Sequence, residues 1–448
     1  MDFHRLGLLE ALRMYREGRA TVMDYVNGLS ARVSAVEPQV QAFEWFEPAR
    51  AMAEAEERAG GILQDLPLFG IPVGVKDIIT TRGIPTRMGS RIFASNVPTT
   101  SAWVVRRLEA LGGLVMGKTV TTEFAFRAPG KTRNPWNPAH TPGGSSSGSA
   151  AAVAAGFVPI AIGTQTLGSV IRPAAFCGVV GYKPSYGAIS RSGIHPLSAT
   201  LDTVGVFARS VADAAWFGAC LMGPDGRDEA TSTRGPLRTL HVPLEPRPGP
   251  PRLAMVKTPK WNLATQEQRD HFMQTATRLQ EGGADVREVS LPKLFDKAWD
   301  NVMTILSRDA VKSFQLIESR HRISLSPPLQ QLLDRGRTVT PEQYAHARGE
   351  RDNYRRWFDD LFGKFDAIIT IPAAGEAPEG LGNTGDAAFN SLWTQVGAPA
   401  INIPSGFGAK GLPLGLQVVG GWRDDERALQ VAAWVEATLD FHPGLAGG

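Results

Sequence analysis

Three stretches of this chain carry side chains that could together cleave an acyl bond. Lys76 stands directly after an apolar run at 71–75. PGGSSSGS fills 142–149, and GTQTLGSVIRPAAFCGVVGYK fills 163–183. A serine hydroxyl is a weak nucleophile until a neighbour takes its proton. Lysine can be that neighbour only when neutral, and a lysine on a buried strand loses hydration, which lowers its pKa. Glycine- and serine-rich loops leave backbone N–H groups free to converge on an oxyanion. Nucleophile, base and oxyanion donors are therefore all on offer.

Singly, each feature has a plainer reading. Lys76 alone reads as a surface lysine at a strand end, PGGSSSGS as a flexible turn, and Arg172 as a salt-bridge partner. GSSSG at 144–148 also fits the nucleophile elbow G-x-S-x-G with Ser146 as nucleophile. That motif needs a strand just before it, and NPWNPAHTPG cannot be a central strand. The loop is no P-loop, because no Lys-Ser/Thr pair follows its last glycine. His140, five residues before Ser145 (145 − 140), could pair with a serine but reads better as an exposed turn histidine. The histidines are isolated and H-E-x-x-H is absent, so no catalytic metal and no cofactor are expected.

Spacing decides whether the three stretches can meet. Ser145 lies 69 residues after Lys76 and Ser169 lies 24 after Ser145 (145 − 76; 169 − 145). Twenty-four residues fit a helix, a strand and a return, which brings both serine loops to one edge of a sheet, where α/β proteins bind ligands.

The elements needed to hold them are legible. Apolar runs at 71–75, 114–116, 158–162 and 179–182 read as buried strands, and helices fit 102–110, 146–155 and 211–221. Strands alternating with helices imply an α/β fold, a mixed and mostly buried sheet covered on both faces. Residues 4–60 read as a helical lead-in, with Leu6, Leu9, Leu12 and Met14 on one face and Thr21 as a cap. A loop at 223–251, rich in Gly, Pro, Asp and Arg, interrupts the pattern. Beyond it come strands at 252–256, 367–371 and 414–419. Helices near 265–282, 294–320, 341–362 and 424–439 complete the count.

With 448 residues, 43% of them hydrophobic and a net charge of +3, the chain has ample core and no strong electrostatic footprint. Nucleic-acid motifs are missing, so no nucleic-acid partner is expected. Cys177 and Cys220 form no disulfide framework and read as buried thiols. The start lacks a signal-peptide pattern and no apolar run reaches membrane length, so a cytoplasmic protein without membrane contact is expected.

The run from Lys76 through GGSSSGS to GTQTLGSVIRPAAFCGVVGYKP resembles the amidase signature family, with three separated motifs in order and at family spacing. The likeness extends over VKDIITTRGIPTRMGS, KTVTTEFAF, TRNPWNPAHTPGG, LWTQVGAPAINIP and GLPLGLQVVG. Within the family it looks closest to bacterial malonamidases. The resemblance implies the amidase signature fold, with a helical segment at 1–62 and one compact domain at 63–448. It makes Ser169 the nucleophile, Ser145 the proton relay after a cis Gly144–Ser145 bond, and Lys76 the terminal base. It places the backbone N–H groups of Thr166, Leu167, Gly168 and Ser169 in the oxyanion hole, and sets Arg172 against a substrate carboxylate. Gly144 and Met88 would also border the substrate, and Leu167 with neighbouring apolar residues such as Met88 and Phe93 would instead favour an aryl or alkyl amide or a carbamate. Gln165 replaces a common Asp, and Leu167 replaces a glycine, so a backbone needing positive φ there would be strained. The implied activity is hydrolysis of a small amide, carbamate or urea, with a homodimer plausible. The alternatives are the amidase subunit of a tRNA-dependent amidotransferase and a catalytically dead binding subunit.

Overall fold

The computed structural model describes residues 2–60, 65–232 and 240–447. Eleven strands form one mixed sheet: β1 (Phe43–Phe46), β2 (Pro72–Lys76), β3 (Leu114–Thr119), β4 (Ile160–Gln165), β5 (Val180–Lys183), β6 (Thr203–Ala208), β7 (Arg252–Val256), β8 (Asp285–Val289), β9 (Ala367–Thr370), β10 (Ala400–Phe407) and β11 (Pro413–Val419). Their spatial order is β1-β3-β2-β4-β6-β5-β10-β11-β9-β7-β8. β3, β2 and β4 run parallel side by side, and β6, β5, β10 and β11 continue antiparallel. Every residue of β2, β3, β4 and β6 is buried. Such burial on both faces suits their Val- and Ile-rich composition.

The three parallel strands end at one edge, where Lys76 stands. Val75 pairs with Ile162, so Lys76 at the end of β2 lies beside the end of β4. Two small-residue helices pack there. Ser147–Ala154 is buried on every side and shows no amphipathic stripe. Its Gly148 donates to the Val120 carbonyl at 3.0 Å. A β-carbon at Gly148 would fall 2.2 Å from the Ala42 carbonyl oxygen and 2.3 Å from the Val120 nitrogen. Only glycine lets this helix sit on the backbone between β1 and β3.

The expected elements lie where the sequence puts them, with ends shifted by at most four residues. Thr21 forms a capping box with Asp24 at the start of Val22–Val40. The lead-in is not purely helical, however. β1 adds an antiparallel edge to β3; FEWF is too short and too mixed to signal a strand on its own. The 62/63 boundary lies outside the described residues, as do 233–239 of the expected loop. Among the described residues no helix is long and apolar enough to cross a membrane. Cys177 and Cys220 are both free and buried.

Replacing Gly148 with alanine drives a methyl into backbone that cannot retreat. We expect Gly148→Ala to lower stability by about 1–3 kcal/mol or more, read as a lower thermal midpoint. A midpoint unchanged within a degree would show that the helix has slack.

Candidate active site

Lys76, Ser145 and Ser169 converge at the ends of β2 and β4. The Lys76 side chain is fully buried, and Nζ lies 2.7 Å from Ser145 Oγ and 2.8 Å from Thr164 Oγ1. No carboxylate lies within 4 Å of it among the described residues. Burial therefore pushes its pKa well below the usual lysine value, with the charge of Asp202 opposing. Two other fully buried lysines clarify what is special here. Lys118 is paired with Asp77 at 3.4 Å and bonds the Ile79 carbonyl, and Lys183 donates to the Pro184 carbonyl. Of the three, Lys76 alone touches a serine hydroxyl.

The serines of 145–149 divide their work. Ser146 Oγ donates to the Thr164 carbonyl at 3.1 Å, and Ser149 Oγ to the Ile162 carbonyl at 3.0 Å. Both fasten the Ser147–Ala154 helix to β4. Ser145 alone faces Lys76, and its own carbonyl accepts from the Thr122 N–H. The Gly144–Ser145 peptide bond is cis, as the resemblance implied. The elbow reading of Ser146 fails, because Ser146 is fully buried and no strand precedes it. His140 is not exposed as expected. It is buried, and its Nδ1 lies 2.7 Å from the Ala377 carbonyl, far from any catalytic role.

Ser145 and Ser169 line one cavity of about 690 Å³, together with Thr166, Leu167 and Arg172. Among the described residues, no protein group hydrogen-bonds the Ser169 hydroxyl, and no protein acceptor takes the N–H groups of Thr166 to Ser169. The Ser169 hydroxyl and a run of N–H groups without protein acceptors thus stand together beside this cavity. The loop owes its shape to Gln165. Its Oε1 accepts from the Val170 N–H at 2.8 Å and the Ile171 N–H at 3.1 Å, capping the first turn of Ile171–Cys177. Its Nε2 donates to Thr394 Oγ1 at 2.9 Å, and that hydroxyl donates to the Leu167 carbonyl at 2.9 Å. An amide is required, since it must accept at one end and donate at the other. Leu167 is not among the positive-φ residues, so the expected strain is absent, while its side chain does border the cavity.

Arg172 is buried, and Nη2 donates to the Gly144 carbonyl at 2.6 Å and to Thr384 Oγ1 at 3.2 Å. Burial pushes its pKa down to about 10, with Asp386 opposing, so it stays cationic at neutral pH. No carboxylate pairs with it among the described residues, and its Nε has no partner. Met88 and Phe93 do not line the cavity. Met88 adopts φ 57 and turns into the core, and Phe93 packs edge-on against Phe124. The apolar wall is instead Phe126, Leu167, Leu197 and Leu306. Thr164, Thr384, Thr394 and Asp202 could not be singled out from sequence. Each acts through a contact with a residue far along the chain.

Replacing Gln165 with leucine leaves two buried N–H groups without an acceptor, at about 1–3 kcal/mol each, and frees the loop that aims the donors. We expect Gln165→Leu to lower kcat for an amide by on the order of 10²–10³ with a smaller effect on KM. A kcat within twofold of the parent would remove Gln165 from this role.

The amidase family's model matches residues 24–429. The chain is 33% identical to the A subunit of the glutamyl-tRNA(Gln) amidotransferase of Roseiflexus sp. (strain RS-1), covering 98% of this chain and 97% of that protein. Its fold is similar to the native peptide amidase of Stenotrophomonas maltophilia (TM-score 0.84, 29% identity, 99% of both chains). It is also similar to 6-aminohexanoate cyclic dimer hydrolase complexed with substrate (TM-score 0.87, 25% identity, 100% and 99% of the two chains). The curated relatives at 32–34% identity are amidotransferase A subunits. The finer likeness to malonamidases is therefore not what these relatives display. With a match over most of its length and one sheet that carries the family's separated motifs to a single edge, this chain belongs to the amidase signature family.

Proposed function

We propose that the protein is a stand-alone serine amidase that cleaves a small, carboxylate-bearing amide. The observation that carries this reading is a buried, unpaired amine in hydrogen-bond contact with a serine beside an open cavity. Ser169 Oγ attacks the carbonyl carbon as its proton passes to Ser145 and from Ser145 to Lys76. The N–H groups of Thr166 to Ser169 receive the oxyanion. Collapse expels the amine, which takes a proton back through Ser145. Water then repeats the sequence on the Ser169 ester and releases the acid. The free Ser169 hydroxyl fits this order of events, since catalytic hydrogen bonds commonly tighten only when substrate binds.

The charge of the cavity supports an anionic substrate. Arg172 and Arg127 both border it without an ion-pair partner among the described residues, and Asp386 is exposed at its rim. An unpaired, buried guanidinium is costly, and a substrate carboxylate would relieve that cost. Arg172 has two tasks in this account, because it also holds the Gly144 carbonyl beside the relay serine. The name of one solved neighbour, a peptide amidase, supports an amide over a carbamate or urea.

The second reading, an amidotransferase component working with partner proteins, is favoured by the names of the curated relatives. Against it, the alignment to the Roseiflexus protein spans 481 positions. That relative therefore carries at least 33 residues that this chain of 448 lacks (481 − 448). Turnover of a simple amide by the purified chain alone supports the first reading. Activity that appears only with added partner proteins would replace it with the second.

Two outcomes follow for the stand-alone enzyme. A neutral Lys76 is the active base, so kcat/KM rises with pH through its lowered pKa. Lys76→Ala should lose on the order of 10²–10⁴ in kcat/KM together with that limb. Near-parental activity in Lys76→Ala would contradict the mechanism. Arg172→Ala should slow all substrates, because the Gly144 contact goes with it. It should also cut the preference for a carboxylated amide over its neutral analogue by roughly tenfold or more. An unchanged preference would mean that Arg172 serves only the loop.

A further inference from the structure

A second polar cavity, of about 990 Å³, opens on the surface between the helices Ala298–His321 and Pro341–Phe362. One face of the first helix carries Arg308, Lys312, Gln315 and Ser319, spaced as neighbours along a helix and containing no acid. Arg348 faces it from the second helix, with its guanidinium 5.7 Å from the centre of the Tyr344 ring. Among the described residues, no carboxylate lies within 4 Å of Arg308, Lys312 or Arg348. The two acids that do border the cavity are already engaged. Glu318 pairs with Arg322 and Arg337. Asp309 accepts from Tyr344 Oη at 2.6 Å, Ser198 Oγ at 2.5 Å and the Thr200 N–H at 3.1 Å. Like charges four residues apart on one helix repel each other, and among the described residues no carboxylate forms an ion pair with Arg308 or Lys312.

The floor of this groove is wired to the catalytic loop. Tyr344 and Ser198 meet on Asp309, and the Ser198 N–H donates to Asp202 Oδ2 at 3.0 Å. The other oxygen of Asp202 accepts from Thr166 Oγ1 at 2.6 Å, and Thr166 supplies the first oxyanion N–H. Leu306, on the same helix as Arg308, borders the substrate cavity. Ordering the Arg308–Arg348 side of the groove thus acts on hydrogen bonds that end in the loop holding Ser169.

We propose that this groove binds a small molecule carrying at least two anionic oxygen groups, a phosphate ester or a polycarboxylate. Its occupancy changes kcat through the Tyr344–Asp309–Ser198–Asp202–Thr166 chain. Hydrogen bonds from charged donors to such oxygens are the strong ones. The kinetic half of this proposal rests on the hydrolase reading, whereas the binding half does not.

The test uses inorganic pyrophosphate and citrate as probes on the full chain, with chloride holding ionic strength constant. Calorimetry should show saturable binding of at least one probe, identifying which anion class the groove takes. Binding should weaken by roughly tenfold or more in the Lys312→Gln/Arg348→Gln double variant. The bound probe should shift kcat of the parent, and Tyr344→Phe should keep the binding while reducing that shift. No binding of either probe at millimolar concentration, or binding undiminished in the double variant, would overturn the site. So would binding of a short RNA while both small anions fail. Binding without any change in kcat would overturn the coupling. If the chain hydrolyses no amide, calorimetry still decides the site independently.

Discussion

An amine taken out of water with no carboxylate beside it is the condition on which this structure turns. An ammonium buried without a partner costs several kcal/mol, and the group escapes that cost by giving up its proton. The protein shows the contrast within itself. Lys118, one strand over, is equally buried but lies beside Asp77, and its pKa is pushed down only to about 8. Lys76 has hydroxyls and a carbonyl for company, so desolvation acts on it with little relief. β2 and β4 must both be buried on two faces for that to hold, and the sheet extends far enough on either side to enclose them.

A base is useful only if the nucleophile and the oxyanion donors are held still around it. Here the holding is done by one amide, by hydroxyls and by one buried carboxylate. Gln165 links the start of one helix to Thr394, and Thr394 to the carbonyl of Leu167. Asp202 takes Thr166 at one oxygen and the N–H groups of Leu197 and Ser198 at the other. The backbone of 166–169 is thereby fixed from both sides while its N–H groups stay free. Preorganised donors of this kind need no rearrangement at the moment charge develops.

Much of this was legible in the chain before any coordinates. Lys76, Ser145 and Ser169 belong to short motifs whose residue types are rare together, and the parallel strands beneath them are continuous apolar runs. β10 escaped notice because Pro404 and Gly406 break its pattern at a bulge. β8 escaped because DVREV is a charged edge strand without a buried run. The expectation for Met88 failed because adjacency in sequence to a motif says nothing about which way a residue at φ 57 turns its side chain. The burial of His140 depends on a carbonyl 237 residues away, so no local pattern could reveal it. The clamp on Leu167 was hidden for the same reason: Gln165 is visible as an unusual residue, but Thr394 becomes its partner only through the fold.

The central claim is that Lys76 gives up its proton well below the usual lysine value because it is dry and unpaired. Lysine-selective ¹³C labelling with detection of the side-chain Cε resonance, assigned by its loss in a Lys76→Met variant, measures this directly. The account predicts that the signal missing from the variant titrates well below the unperturbed lysine value of about 10.4, as do those of the buried Lys118 and Lys183, which persist in the variant. A Lys76 resonance that stays in its ammonium form up to or beyond that value would contradict the account.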